Sequence, residues 1–286
     1  MHLDKPIIIL GAARSGTKLL RGILASHPGL SAVPWDVNFI WKYGNYGIPH
    51  DELEPGNLEP RIRRFIETSL ARFLRSGTHR LVEKTVGNTL RPAFVRAALP
   101  GCVFVHLVRD GRDVAESARR MWQAPLDWRA VLEKVRSFPP AAVPTYGVQY
   151  VRGYVRRALG QRDGAVASWG PRWRGIDKDV RELPLIDVCA LQWVHSLART
   201  RACLDALPTS DWIEVRYERL VADPAAEVAR LLAFLGLDPC PEVGDHIART
   251  LTDANVGKGK HRLTAEELRQ VEKHAGAMLQ TLGYMG

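Results

Sequence analysis

The sequence predicts an α/β fold of three layers, with a mostly parallel central sheet and helices on both faces. Three observations predict it. Ile7-Ile8-Ile9-Leu10 and Val103 to Val108 are continuous apolar runs, the pattern of strands buried on both faces. Each run stops at a polar, glycine-bearing turn and gives way to a segment of helical period. Strand and helix then alternate along the chain, which favours neighbouring, parallel strands.

The elements follow in order. After the strand at 7–10, Gly11 to Gly16 forms a tight polar loop. A helix over Thr17 to Ser26 carries Leu19, Leu20, Ile23 and Leu24 on one face and stops at His27-Pro28-Gly29. Residues 34–60 mix Pro, Gly and Asn with Trp35, Phe39, Trp41, Tyr43 and Tyr46, and read as loop-rich. Arg61 to Arg75 has a helical stripe of Ile62, Phe65, Ile66, Leu70 and Leu74. Leu81-Val82 is a short strand, Pro92 to Leu99 a helix, 103–108 the clearest strand, and Asp113 to Met121 a helix. Residues 122–183 hold Pro139-Pro140, Pro144 and many Arg, and read as an irregular insert over the active face. A long helix at Leu185 to Leu207, a strand at Trp212 to Val215 and a helix at Ala225 to Leu235 follow. Thr264-Ala265-Glu266-Glu267 has the capping-box pattern that starts a last helix. Residues 1–286 thus read as a single domain.

Hydrophobic residues make up 46% of the 286, enough for a large core, and charged residues make up 25%. The net charge of +9 favours anionic ligands without choosing among nucleotides, sulfated sugars, nucleic acid and acidic lipid. The four cysteines, at 102, 189, 203 and 240, lack metal-ligand spacing, and no metal is expected. The apolar run at 6–10 is too short for a membrane span or a signal peptide, so a soluble, cytoplasmic protein is expected.

Gly11-Ala12-Ala13-Arg14-Ser15-Gly16-Thr17-Lys18 joins the first strand to the first helix, where backbone amides and a helix N-terminus can surround an anion. Arg14 adds a fork of donors suited to phosphate or sulfate. The spacing approaches the P-loop of nucleotide triphosphatases but departs from it. Thr17 follows Gly16 where that loop has Lys, and Lys18 stands where it has the Mg²⁺-binding hydroxyl. The strand at 103–108 ends in Arg109 rather than a metal-binding Asp. A P-loop kinase or NTPase is therefore the lesser reading.

Arg14-Ser15-Gly16-Thr17 resembles the 5′-phosphosulfate loop of the sulfotransferase superfamily. The run from Leu19-Leu20 to His27-Pro28 is similar to its tyrosylprotein and bacterial types. The resemblance implies a P-loop-NTPase-like fold and 3′-phosphoadenosine 5′-phosphosulfate as co-substrate. It also implies that Arg14, Ser15, Gly16, Thr17 and Lys18 line the 5′-phosphosulfate, Lys18 standing where a second Thr is usual. Arg109-Asp110-Gly111-Arg112-Asp113-Val114, with Ser117 eight residues after Arg109, is similar to the family's 3′-phosphate element. Val215-Arg216-Tyr217-Glu218-Arg219-Leu220 resembles its strand followed by Tyr-Glu-x-Leu, which puts Tyr217 on the nucleotide. Gly257-Lys258-Gly259-Lys260-His261-Arg262 looks like its basic closing loop, and either Lys258 or Lys260 could meet the 3′-phosphate. Lys84, in Glu83-Lys84-Thr85, resembles a family lysine that interacts with the transferring group.

Sulfuryl transfer needs an in-line attack on sulfur, a base for the acceptor's proton and stabilisation of charge on oxygen. Asp36 lies within Pro34-Trp35-Asp36, soon after His27-Pro28, where tyrosylprotein and bacterial-type members place a carboxylate. It is the only acid in residues 5–50, and proximity to Trp35 would raise its basicity. Glu83, His50 and Asp51 are reserves. His106, mid-strand, reads as a buried, hydrogen-bonded core residue. A non-enzymatic anion or nucleic-acid binder is a further alternative, but no RNA- or DNA-binding motif supports it. The acceptor, a small molecule or a glycan, stays open. The Arg and aromatic residues between 150 and 174 would suit either.

Overall fold

The structure, a computed structural model, describes residues 3–124 and 169–285. Five strands form one sheet: β1 (Ile7–Leu10), β2 (Leu30–Ala32), β3 (Arg80–Glu83), β4 (Val103–Val108) and β5 (Trp212–Arg216). Their order is β2-β3-β1-β4-β5, and every adjacent pair is parallel. β1 is central, with Ile7 opposite Val82 on one side and Val103 on the other. The chain leaves β1 for the far edge at β2, then crosses back past β1 to β4. Such a reversal opens a crevice at the carboxyl end of the central strand.

The helices are α1 (Thr17–Ala25), α2 (Asn38–Trp41), α3 (Pro60–Ala71), α4 (Pro92–Ala98), α5 (Gly111–Gln123), α6 (Ile176–Glu182), α7 (Leu185–Leu204), α8 (Tyr217–Ala222), α9 (Pro224–Leu235), α10 (Pro241–Thr250), α11 (Lys258–Arg262) and α12 (Ala265–Thr281). Side chains alternate across the strands, so each strand feeds two cores. Ile7, Ile9, Val82, Val105, Leu107 and Val215 pack with Leu20, Ile23 and Leu24 of α1 and with α8, α9 and α10. Ile8, Leu10, Leu81 and Phe104 pack on the opposite face against α2, α3 and α4. Val108 joins α5, α7 and α12 in a third cluster. This is the three-layer arrangement expected, with the sheet wholly parallel.

Most elements fall within a few residues of the sequence reading. Thr264 caps α12 with the expected capping box, its hydroxyl accepting from Glu267 N and the Glu267 carboxylate accepting from Thr264 N. The segment 34–60 is less irregular than expected, since it holds α2 and a 3₁₀ turn at Pro55–Asn57. Of the proposed insert, residues 125–168 lie outside the described residues. Its described end contains α6, anchored by paired hydrogen bonds between Asp51 and Arg172: Asp51 N to Arg172 O at 2.7 Å, and Arg172 N to Asp51 Oδ2 at 2.9 Å.

Candidate active site

The loop after β1 is built by close contacts that exclude side chains. A Cβ on Gly11 would lie 2.7 Å from Thr17 Cγ2 and 3.0 Å from the Leu107 carbonyl oxygen. Gly16, at φ +97°, takes a left-handed conformation, and a Cβ there would lie 2.6 Å from the Tyr217 ring. Arg14 also has positive φ, 77°, which costs a non-glycine residue conformational energy. Ser15 N closes the turn on Ala12 O at 3.0 Å. The Ser15 hydroxyl is buried and has no hydrogen-bond partner. The first-turn amides of α1 lack intrahelical partners by geometry. Loop strain, an orphaned hydroxyl and a helix N-terminus at one point are the features of an anion cradle.

The end of β4 joins that loop. Arg109, buried, donates through Nη1 to the Arg14 carbonyl at 3.2 Å and through Nη2 to Asp113 Oδ2 at 3.3 Å and to Asn255 O. Its guanidinium lies 4.3 Å above the centre of the Tyr217 ring, and its Nε is buried without a partner. Ser117, two turns into α5, accepts from Arg14 Nε at 3.0 Å. Burial, then the charges of Arg120 and Arg109, push the Arg14 guanidinium below its ordinary pKa, with Glu116 opposing them. Cations crowded at one place form a site for a multiply charged anion.

The C-terminal segment reaches the same place. Lys258 Nζ donates to Asn255 Oδ1 at 3.0 Å, while Lys260 is exposed. The expected loop at 257–262 is a short helix, α11. Arg14, Ser15, Gly16, Thr17, Arg109, Ser117, Tyr217 and the segment around Lys258 therefore converge, and Lys18 is exposed on the first turn of α1.

A second corner lies at the end of β3. Val33 N donates to Val82 O and Val37 N to Thr85 Oγ1, both at 2.9 Å, which straps residues 33–37 across the strand end. The strap sets Asp36 Oδ1 2.6 Å from Lys84 Nζ, with the lysine side chain 3% exposed and the aspartate 30%. Trp35 packs edge-on against Phe73, so the main neighbour of the Asp36 carboxylate is Lys84. Arg21 of α1 binds the Pro34 carbonyl and lies within the field of Asp36 and Glu83. Glu83 is fully buried, accepting from Thr85 Oγ1 and from Asn88 Nδ2 at 2.9 Å. Desolvation pushes its pKa up to about 7.

The reserves separate. Asp51 is buried and tied to Asn38 Nδ2 at 3.0 Å, to Arg91 at 3.5 Å and to the Arg172 backbone, a structural set of partners. His50 sits beside Lys42, whose Nζ donates to the His50 carbonyl at 2.8 Å. His106 is buried as expected, but neither ring nitrogen has a hydrogen-bond partner, which corrects the expectation that it is hydrogen-bonded. Burial pushes its pKa down to about 3. Among the described residues no cluster of His, Cys, Asp or Glu could hold a metal ion, and no helix is long and apolar enough to cross a membrane.

The sequence reading missed Arg120 and Asp113. Both signals were present: Arg120 follows Ser117 by three residues on one helix face, and Asp113 follows Arg109 by four.

A sequence profile of the Sulfotransferase family matches residues 148–242, which include β5 and Tyr217. The nodulation protein NoeE of Sinorhizobium fredii is 24% identical over 310 residues, covering 96% of this chain and 65% of NoeE. Carbohydrate sulfotransferase 2 of Homo sapiens is 27% identical over 202 residues, covering 63% of this chain and 34% of that protein. The chain is thus similar in sequence and in fold to sulfotransferases. It spans less than two thirds of the length of these relatives. Solved structures carry the same fold. The sulfotransferase domain of the curacin biosynthetic pathway superposes with a TM-score of 0.51 at 17% identity, covering 96% of this chain and 99% of that domain. A Mycobacterium avium sulfotransferase gives 0.56 at 11% identity, covering 98% and 77%. The family profile begins beyond both the Gly11–Lys18 loop and the 109–117 element.

Proposed function

We propose that the protein transfers a sulfuryl group from 3′-phosphoadenosine 5′-phosphosulfate to an acceptor hydroxyl or amine. The observation that carries this reading is the junction of the loop after β1 with the end of β4. There Arg14 bonds Ser117, Arg109 bonds the Arg14 carbonyl, and the Ser15 hydroxyl and Arg109 Nε are buried without partners. Buried donors without acceptors are costly unless a ligand completes them. A nucleotide with phosphate at both ends would do so. Its 5′-phosphosulfate would lie at residues 14–17 and its 3′-phosphate between Arg109 and Ser117.

In this reading the acceptor oxygen or nitrogen attacks sulfur in line with the bridging oxygen. The new bond to sulfur forms as the bond from sulfur to the nucleotide phosphate breaks. Asp36 takes the acceptor's proton, and Lys84 stabilises charge growing on the bridging and equatorial oxygens. Tyr217 packs against the donor. The similarity to human carbohydrate sulfotransferase 2 favours a glycan among the acceptors. The four free thiols, of which Cys102 is pushed up to about 12 by burial, suit a reducing, cytoplasmic setting.

The test is a calorimetric titration with adenosine 3′,5′-bisphosphate, followed by transfer of labelled sulfate from the donor to a panel of glycans and phenols. Tight binding that needs the 3′-phosphate is expected. Equal affinity for ATP with Mg²⁺ would instead favour a P-loop kinase or NTPase.

A further inference from the structure

Helix α11 has Gly257 at its N-cap, which has no side chain to cap it. Two of the amides at its start are nonetheless satisfied. Asp113, in the first turn of α5, accepts from Gly257 N through Oδ2 at 2.8 Å and from Gly259 N through Oδ1 at 2.6 Å. The same Oδ2 accepts from Arg109 Nη2 at 3.3 Å. This carboxylate is 3% exposed, so water competes little for it. One buried carboxylate thus caps a helix distant in sequence and orients an arginine of the candidate nucleotide site.

The contact is close-packed as well as hydrogen-bonded. A Cβ on Gly259 would fall 2.5 Å from the carbonyl carbon and oxygen of Arg112 and 2.6 Å from Asp113 N. These are backbone atoms, so they cannot give way as a flexible side chain would. Neighbouring ties point the same way. Asn255 O accepts from Arg109, Lys258 bonds Asn255 Oδ1, and Arg262 lies 3.7 Å from Glu116 of α5.

We infer that Asp113 is a positioning residue, latching the segment 255–262 onto α5 so that Arg109 and Lys258 meet the donor's 3′-phosphate together. This rests on the nucleotide reading above. Asp113 touches no ligand in this scheme. It acts through Arg109 and through the amides of Gly257 and Gly259.

The experiment uses the full chain and two variants. Asp113→Asn replaces one acceptor oxygen by a donor. Gly259→Ala leaves Asp113 and Arg109 chemically intact but wedges the segment away. Amide hydrogen exchange without ligand should show lost protection across 255–262 in both variants, with α12 unchanged at 268–280. Affinity for adenosine 3′,5′-bisphosphate should fall roughly tenfold, and affinity for adenosine 5′-phosphate less than about twofold. A purely structural lesion would weaken both nucleotides alike. Wild-type exchange at 255–262 in both variants, or equal loss for both nucleotides, would overturn the latch. If Asp113→Asn does not fold, Gly259→Ala decides alone. If the wild-type protein binds neither nucleotide, the functional reading fails, while the exchange measurement still decides whether Asp113 holds the segment.

Discussion

The two corners of the crevice differ in how their charges are balanced. At the end of β3, Asp36 and Lys84 pair directly at 2.6 Å, and Glu83 behind them is enclosed by Thr85 and Asn88. At the junction of the β1 loop and β4, Arg14, Arg109 and Arg120 share one region, and two buried donors there have no acceptor. At the first corner Asp36 and Lys84 answer each other without a ligand, whereas at the second Ser15 Oγ and Arg109 Nε have no partner. A balanced ion pair suits a place where a proton must move and charge is transient. A surplus of cations suits a place where a permanent anion must be held. The proposed division of labour between chemistry and donor binding rests on that contrast.

Replacements at the two corners should therefore fail in different ways. The largest effect is expected from Asp36→Asn. It keeps the size of the side chain but cannot take a proton, so turnover should fall about 10²–10⁴-fold with donor affinity unchanged. Rapid-mixing kinetics with a bound-donor titration would check both halves, and near-normal turnover would make Asp36 a partner of Lys84 only. Lys84→Ala should also slow turnover. Its loss should stay roughly constant across acceptors of differing acidity, whereas that of Asp36→Asn should shrink for the more acidic ones.

The second corner should answer in affinity. Arg109→Ala is expected to weaken adenosine 3′,5′-bisphosphate roughly tenfold to a hundredfold relative to adenosine 5′-phosphosulfate. Equal loss for both would remove Arg109 from the 3′-phosphate. Arg120 is exposed and salt-bridged to Glu116 at 2.7 Å, so Arg120→Ala should cost only about threefold and do so mainly at low salt. Titrations at two ionic strengths would separate it from Arg109.

The contrast also explains what could be read from the sequence. Buried parallel strands need continuous apolar runs, so β1 and β4 stood out, and phosphate cradles need glycine and arginine at strand ends, so both candidate anion-binding segments did too. The short β2 did not, because Leu30-Ser31-Ala32 has no length over which to show a period. Helix α8 was hidden inside the Tyr217 motif, whose residues were read for contacts rather than for conformation. The pairing of Asp36 with Lys84 spans 48 positions and depends on the strap from Val37 to Thr85, which local pattern cannot reveal. The latch from Asp113 to Gly259 spans 146 positions and is invisible for the same reason.

The effect expected to touch function least lies beneath the corners, in two buried titratable side chains on the strands that flank β1. Glu83 ends β3 and His106 lies in β4, and burial shifts both toward their neutral forms. The signs oppose. Glu83 moves from an ordinary 4.5 up to about 7, so the folded protein holds an extra proton there between those values. Its contribution to stability is full below pH 4.5 and is lost as pH rises toward 7. His106 moves from 6.5 down to about 3, so the folded protein lacks a proton that the unfolded chain binds. Its contribution is full above pH 6.5 and is lost as pH falls toward 3. Between pH 4.5 and 6.5 the two slopes, each at most about 1.4 kcal/mol per pH unit, cancel. Relative to wild type, Glu83→Gln should then add stability as pH rises through that window, and His106→Leu should lose it. Urea unfolding at half-unit pH steps would read both. Slopes of the same sign in the two variants would show that at least one of these groups is charged in the folded protein.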